Sequence, residues 1–325
     1  MRRTVPAVLA ACLAVVGPTL AATDSPAHSA APAPASSALG GSTAPATAGP
    51  SAEPTAETSS ESAAESIAES TAGPAASARV VTVGYGPHSA QRMDVYSPTR
   101  VLERDRGAVV LVHGGSWVTG DKADLAPYAL QLAGEGYVVA SINYRLATEA
   151  PWPAQRRDAI AAVRYLRGHT KEFQVDPDRI VMIGFSAGAQ IATAAATWGT
   201  GSALLRGVVA LSGPLDPRRV VLDGRRGLDS VLVRSLLGCR PIACPGRYRD
   251  ATPQTQLSRD DVPSLLFASR LEWVDPANSI GFVARARAVG LSSRLVRMSG
   301  SQHARTYWDR AWPVIRDWVS VRLAV

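Results

Sequence analysis

Cysteine, histidine and lysine are scarce in this chain. Its 325 residues include three cysteines, five histidines and two lysines. The cysteines and histidines do not show the spacing of zinc ligands, and no haem or nucleotide motif occurs, so we expect neither a metal nor a cofactor. No basic run is interleaved with aromatic residues, and the net charge of +7 therefore does not indicate nucleic-acid binding.

A long segment near the start of the chain lacks the residues that build a hydrophobic core. Residues 22–78 contain no Lys, Arg, Trp, Tyr or Phe and consist largely of Ala, Ser, Pro, Thr and Glu. A segment with so little apolar surface to bury is predicted to be a disordered tail. The composition changes after this tail, and residues 79–325 are predicted to form one folded domain.

Residues 1–21 have the pattern of a secretory signal peptide. Arg2 and Arg3 precede an apolar stretch from Val5 to Leu20, and small residues end the segment. Lipidation at Cys12 and a retained membrane anchor are the alternatives, but the stretch is short for a membrane span and is interrupted by two prolines. The chain is therefore expected to be secreted or associated with the cell envelope.

From residue 79 onward, short apolar runs alternate with amphipathic stretches. The runs predict an opening hairpin at 79–85 and 92–96 and strands near 108–112, 137–142, 179–183, 206–212, 263–268 and 293–297. The amphipathic stretches predict helices near 124–134, 154–168, 188–197, 277–289 and 306–322. This alternation predicts an α/β fold whose mostly parallel sheet carries helices on both faces. Catalytic side chains are then expected at the carboxyl ends of the strands.

A G-x-S-x-G pentapeptide spans Gly184 to Gly188, between an apolar strand and an Ala-rich helical segment. In that context the pattern is typical of a nucleophile elbow, a turn so tight that glycine is needed on both sides of the serine. We therefore predict that Ser186 is a nucleophile. The N–H of Ala187, at the start of the helix, would face an oxyanion.

A second motif, His113-Gly114-Gly115-Ser116-Trp117, follows the buried strand near 108–112. It matches the glycine-rich oxyanion loop that accompanies nucleophile elbows, in which backbone N–H groups point into the site. Gly115 and Ser116 are predicted to contribute these N–H groups, together with Ala187. The alternative for this motif alone is an ordinary Gly-Gly turn.

A nucleophilic serine needs a base and an acid. His303 is the one histidine after Ser186, and it lies just past the last predicted strand. Glu272 and Asp275 both lie near the carboxyl end of the strand before it, and either can orient the imidazole. Glu272 is the predicted acid, Asp275 is the alternative, and Asp216 is a more distant third.

Cys239 and Cys244 remain if a signal peptide is removed. In an exported protein, this pair is expected to form a disulfide that closes a small loop. The segment between Pro214 and Pro263 is expected to roof the site, where Arg218, Arg219, Arg225 and Arg226 would favour an anionic group.

Together these motifs resemble the α/β-hydrolase esterases related to hormone-sensitive lipase and to the small secreted feruloyl and acetyl esterases. The resemblance runs from Arg79 to the carboxyl terminus, and it includes Asn143-Tyr144-Arg145, Trp152-Pro153 and Asp158 besides the two glycine-rich motifs. Laying the family's late acid segment over this chain places Glu272 at the acid, where the family usually has Asp.

The resemblance implies a serine hydrolase that cleaves small-molecule carboxylic esters through an acyl-enzyme and needs no cofactor. The signal-peptide pattern adds the expectation of secretion, and the composition predicts no nucleic-acid partner. A secreted peptidase or amidase on the same fold is the first alternative. A catalytically silent binding module is the second. The sequence predicts no stable membrane span, and it does not predict the oligomeric state or the acyl specificity.

Overall fold

In the computed structural model of the protein, the structure describes residues 78–99, 105–199, 201–222 and 227–324. The predicted signal peptide, including Cys12, and the predicted tail lie outside these residues, as do Arg225 and Arg226. Among the described residues, no helix has the length and apolar character needed to cross a membrane.

Within the described residues, eight strands form one sheet. Each strand predicted from the sequence is present, with ends shifted by a few residues. Their bounds are β1 Ala78–Gly84, β2 Arg92–Pro98, β3 Arg106–Val112, β4 Val138–Ile142, β5 Val175–Phe185, β6 Gly207–Leu211, β7 Ser264–Ser269 and β8 Ser293–Met298.

The strand order is β1-β2-β4-β3-β5-β6-β7-β8. Strand β2 is antiparallel to β1 and β4, and the pairs from β4 to β8 are parallel. The carboxyl ends of the parallel strands therefore meet along one edge of the sheet, and the predicted mostly parallel α/β fold is confirmed. Both predicted glycine-rich motifs leave the sheet at this edge, after β3 and β5.

Helices cover both faces of the sheet. Their bounds are α1 Ala126–Gly134, α2 Ala154–Gly168, α3 Thr170–Phe173, α4 Ala187–Ala196, α5 Gly201–Leu204, α6 Pro217–Leu222, α7 Gly227–Leu237, α8 Pro245–Asp250, α9 Ala277–Ala288 and α10 Trp308–Leu323. The five helices predicted from the sequence correspond to α1, α2, α4, α9 and α10. The short helices α3 and α5 to α8 were not predicted.

The two faces of the sheet carry separate cores because successive residues of a strand point to opposite sides. In β3, Val110 packs in a core shared with α2 and α4, whereas Val109 and Leu111 pack in a core shared with α1 and α10. Both faces of β3 are thus buried, which explains its uninterrupted apolar sequence.

Cys239 and Cys244 form a disulfide in the segment between α7 and α8. The hydroxyl of Tyr248, on α8, donates to the carbonyl of Cys239 at 3.0 Å. The predicted pairing of the two cysteines is therefore present in the structure.

Candidate active site

Ser186 lies at the sharp turn between β5 and α4. Its backbone angles, φ 53° and ψ −119°, are strained for a residue with a side chain. A Cβ atom at Gly184 would lie 2.2 Å from the carbonyl oxygen of Gly188, and one at Gly188 would lie 2.2 Å from that of Val112. Only glycine fits at either position, as the pentapeptide predicts, and the Ser186 N–H anchors the turn by donating to Leu211 O at 2.8 Å.

The loop after β3 has three consecutive residues with positive φ: Gly115 at 110°, Ser116 at 52° and Trp117 at 64°. A Cβ atom at Gly115 would lie 2.1 Å from Thr119 O, so this residue must be glycine. A Cβ atom at Gly114 would lie 3.2 Å from the Ser186 Cβ, which shows how closely the loop approaches the nucleophile turn.

Hydrogen bonds fix this loop against α4. The indole N–H of Trp117 donates to Gln190 Oε1 at 3.1 Å, and the Gln190 amide donates to Ala251 O at 2.7 Å. The carbonyl of Trp117 accepts from the Ala147 N–H at 2.7 Å. Because Gln190 is buried on the helix that begins after Ser186, the loop and Ser186 are held by one element.

Asp158 explains several of the motifs that carry the family resemblance. Its buried carboxylate accepts from Arg145 Nε, Arg145 Nη2 and the Arg145 N–H at 2.6–2.9 Å, and from the Gln91 amide at 2.7 Å. This network fixes Arg145, which lies two residues before Ala147. The Ala147 N–H in turn donates a hydrogen bond to the Trp117 carbonyl. The motif residues therefore stabilise the glycine-rich loop that follows β3.

His113 lies beneath the same loop and is almost fully buried. Its ring stacks on Tyr144 with centroids 4.4 Å apart, and its Nδ1 donates to Gly114 O at 2.7 Å. Burial lowers the pKa of this histidine. Its Nε2 has no hydrogen-bond partner among the described residues, which suits a neutral imidazole.

His303 and Glu272 come together as predicted. His303 Nδ1 lies 2.6 Å from Glu272 Oε2, and Glu272 Oε1 accepts from the Ser269 N–H at 2.7 Å. A carboxylate only accepts, so Nδ1 carries the hydrogen and the lone pair of the neutral ring is on Nε2. The Glu272 side chain is fully buried.

The His303 Nε2 has no hydrogen-bond partner among the described residues, and no hydrogen bond joins it to Ser186. Such contacts are often long in the absence of substrate and shorten when substrate binds.

The alternative acids have other partners. Asp275 accepts from the Ala277 N–H at 2.8 Å at the start of α9, and its side chain is 42% exposed. Asp216 accepts two hydrogen bonds from the Arg218 guanidinium and one from the Arg218 backbone N–H. Neither carboxylate has a hydrogen bond to His303 in the described part of the chain.

Two buried serines at the ends of strands hold the His303 segment, and sequence reasoning missed both. Ser212, directly after β6, accepts from the Ala304 N–H at 2.9 Å and shares a hydrogen bond with the Tyr307 hydroxyl at 2.7 Å. Ser269, which ends β7, donates to the carbonyl of Gln302. In the sequence, the signal available for both serines was that each lies at the carboxyl end of a predicted strand. Burial raises the pKa of Tyr307, which keeps its hydroxyl neutral.

A cavity of about 680 Å³ opens beside Ser186. Of the predicted oxyanion residues, Ser116 and Ala187 line it, whereas Gly115 does not. Its apolar wall includes the side chains of Trp117, Leu232, Leu271 and Trp273. The Trp273 ring also packs 4.6 Å from the His303 ring, measured between centroids.

No group of three or more His, Cys, Asp and Glu residues within the described ranges is placed to hold a metal ion.

Residues 93–283 match the BD-FAE family, and this match covers more than half of the chain and includes both glycine-rich motifs and Glu272. The chain belongs to the BD-FAE family. Two curated relatives from Mycobacterium tuberculosis are also similar. Esterase LipC is 28% identical over 70% of this chain and 60% of its own length. Carboxylesterase NlhH is 39% identical over 34% of each chain.

A solved carbohydrate esterase from gut microbiota has the same fold, with a TM-score of 0.65 and 20% identity over 76% of this chain and 96% of its own. The resemblance to α/β-hydrolase esterases is confirmed. The chain spans 60% or less of the length of the curated relatives named above.

Proposed function

We propose that the protein is a serine hydrolase of carboxylic esters, with Ser186 as nucleophile, His303 as base and Glu272 as acid. The observation that carries this proposal is the pairing of His303 with buried Glu272 in a fold that also strains Ser186 into an elbow beside the oxyanion loop. The names of LipC and NlhH, an esterase and a carboxylesterase, support the same reaction class.

In the proposed reaction, Ser186 Oγ attacks the ester carbonyl while His303 Nε2 takes the hydroxyl proton. Glu272 stabilises the imidazolium that forms, because its carboxylate already holds Nδ1–H. The N–H groups of Ser116 and Ala187, with that of Gly115, would stabilise the oxyanion.

The imidazolium returns its proton to the departing alcohol, which leaves an acyl group on Ser186. Water then attacks this acyl-enzyme with His303 again as base, and the carboxylic acid is released. All of these steps use side chains and backbone groups of the chain itself.

We further propose that the protein is exported, with residues 1–21 as a signal peptide. The basic and apolar pattern of that segment supports this proposal, and so does the disulfide between Cys239 and Cys244, since such bonds persist in oxidising compartments. Mass spectrometry of protein from the culture medium should find a chain that begins after Ala21. A chain retained in the cytoplasm with Met1 intact would contradict export.

The test of activity is hydrolysis of a p-nitrophenyl ester series by the wild type and by Ser186→Ala. The wild type should hydrolyse short-chain esters, and the variant should lose at least about 10³-fold in kcat because a triad nucleophile is removed. Melting curves of both proteins provide the folding control.

Matched p-nitroanilides separate the alternatives. Faster cleavage of the anilide than of the ester would indicate a peptidase or amidase. If the wild type cleaves neither substrate, the binding-module alternative replaces this proposal.

A further inference from the structure

Four charged side chains line the cavity beside Ser186 in the described part of the chain: Arg219, Arg270, Glu272 and Asp275. Glu272 is already paired with His303. The charges available to a bound molecule are therefore those of the two arginines and Asp275.

The Arg270 guanidinium has no hydrogen bond or ion pair within the described residues. Its backbone N–H donates to Met298 O at 3.1 Å, which fixes where the side chain starts. An exposed guanidinium at a cavity wall offers a planar fork of N–H donors, and this geometry matches a carboxylate.

Arg219 is only partly neutralised. Its Nη1 lies 4.0 Å from Asp275 Oδ2, at the limit of an ion pair, and both side chains are about half exposed. The neighbouring Arg218 differs, because its guanidinium makes two hydrogen bonds to Asp216, at 2.9 and 3.1 Å. Because the Glu272 side chain is buried, the exposed charges of the cavity wall are those of Arg270, Arg219 and Asp275, and they sum to +1.

We propose that this cavity selects esters that carry a carboxylate on an apolar spacer, remote from the bond that is cleaved. Arg270 and Arg219 would bind the carboxylate, and exposed Leu271 and Trp273 would contact the spacer. This substrate class rests on the proposed ester hydrolysis at Ser186.

A pair of nearly isosteric substrates tests the charge alone. Mono-p-nitrophenyl adipate carries a terminal carboxylate, and p-nitrophenyl adipamate carries a neutral amide in its place. After correction for spontaneous hydrolysis, we expect the wild type to have a kcat/KM for the adipate about fivefold above that for the adipamate, the upper range for an exposed ion pair. Added salt should reduce this ratio toward one because it screens exposed charges.

Variants assign the effect to the arginines. Arg270→Gln should lower the ratio and Arg270→Glu should bring it below one. The matched control is Arg287→Glu, a charge reversal at an exposed arginine of α9 that does not line the cavity. It should keep the wild-type ratio.

Asp275→Asn should change the ratio of kcat/KM values in the opposite direction. The Asn side chain can still accept a hydrogen bond from the Ala277 N–H, so the start of α9 is kept. The negative charge of the Asp275 carboxylate beside Arg219 is lost. The ratio should therefore rise above the wild-type value, by about two- to threefold for an exposed pair.

Failure of this inference differs from failure of the proposed function. If the adipamate is hydrolysed but the ratio is one or less, or is the same in Arg270→Glu as in the wild type, the anionic preference is wrong while the esterase proposal stands. If the wild type hydrolyses short-chain p-nitrophenyl esters but neither ester of this pair, the inference alone is wrong; if it hydrolyses none of these esters, both are wrong.

Discussion

At the residue scale, the two candidate acids differ in what they contact. Glu272 is fully buried, with one oxygen at His303 and the other at the Ser269 N–H. Asp275 is 42% exposed and accepts from the first turn of α9. A carboxylate that must hold one tautomer of a histidine needs a fixed position, and only Glu272 has it.

The acid assignment therefore makes a paired prediction. Glu272→Gln should reduce kcat by roughly 10²- to 10⁴-fold, because an amide no longer holds the Nδ1–H tautomer or stabilises the imidazolium. Asp275→Asn should change kcat for a neutral ester by less than about threefold, since this carboxylate has no hydrogen bond to His303 within the described residues and a neutral ester carries no charge for it to act on. Steady-state kinetics with a neutral p-nitrophenyl ester, together with thermal melts, measure both. A larger loss in Asp275→Asn would transfer the role to that residue.

His113 predicts a pH dependence of stability. Burial lowers its pKa in the folded state below the ordinary value of about 6.5. Between these two pKa values the unfolded chain binds a proton that the folded chain does not, so the free energy of unfolding falls as the pH falls below about 6.5 and is fully kept above it.

His113→Asn should remove part of this loss. Urea unfolding from about pH 7.5 to about pH 5 should give a smaller decrease in the free energy of unfolding for the variant than for the wild type. The same change at exposed His88 is the control and should keep the wild-type slope. Equal slopes for the wild type and His113→Asn would refute the assignment.

At the element scale, the site is assembled from loops that follow neighbouring strands. Ser186 follows β5, the oxyanion loop follows β3, Glu272 follows β7 and His303 follows β8. Ser212, after β6, connects this set because it accepts from Ala304, the residue next to His303. The loop that carries the base is thus held by its neighbours at the edge of the sheet.

Ser212→Ala should lower both stability and turnover. It leaves the buried Ala304 N–H and the Tyr307 hydroxyl without this partner, which costs about 1–3 kcal/mol in the free energy of unfolding. We expect kcat to fall several-fold with little change in KM, because the base moves while the cavity wall stays.

The matched control is Ser264→Ala. Ser264 begins β7 and so lies at the edge of the sheet opposite to the carboxyl edge, where Ser212 lies. Ser264 is also buried and donates to the Ser293 hydroxyl at 2.7 Å. This variant should lose stability without losing kcat. Equal kcat losses in the two variants would show that the effect of Ser212 is only structural.

Much of this arrangement was predictable because its signals are local. The eight strands follow from short apolar runs. The places of Ser186 and the oxyanion loop follow from glycines that no other residue can replace, because a Cβ atom there would clash with the backbone. The contact between Ser212 and Ala304 joins residues 92 positions apart, and no local pattern specifies it. The choice between Glu272 and Asp275 also required the fold, since both follow the same strand and are separated by their burial and by the contact of Glu272 with His303.

At the scale of the whole molecule, the disulfide constrains the segment between α7 and α8. Replacing Cys239 and Cys244 together with serine should lower the free energy of unfolding by about 2 kcal/mol, the chain-entropy value for so short a loop. Denaturant melts measure this change, and kcat should be kept because neither cysteine lines the cavity. Titration of the denatured, unreduced protein that finds both thiols free would contradict the pairing.

The central claim is that the fold brings one nucleophile, Ser186, to the carboxyl edge of the sheet in a reactive state. The most direct measurement is labelling of the purified protein with a fluorophosphonate, followed by peptide mass spectrometry. The account predicts one adduct, on the peptide that contains Ser186, and no adduct in Ser186→Ala. A folded wild type that takes up no label, or an adduct on another residue, would contradict it.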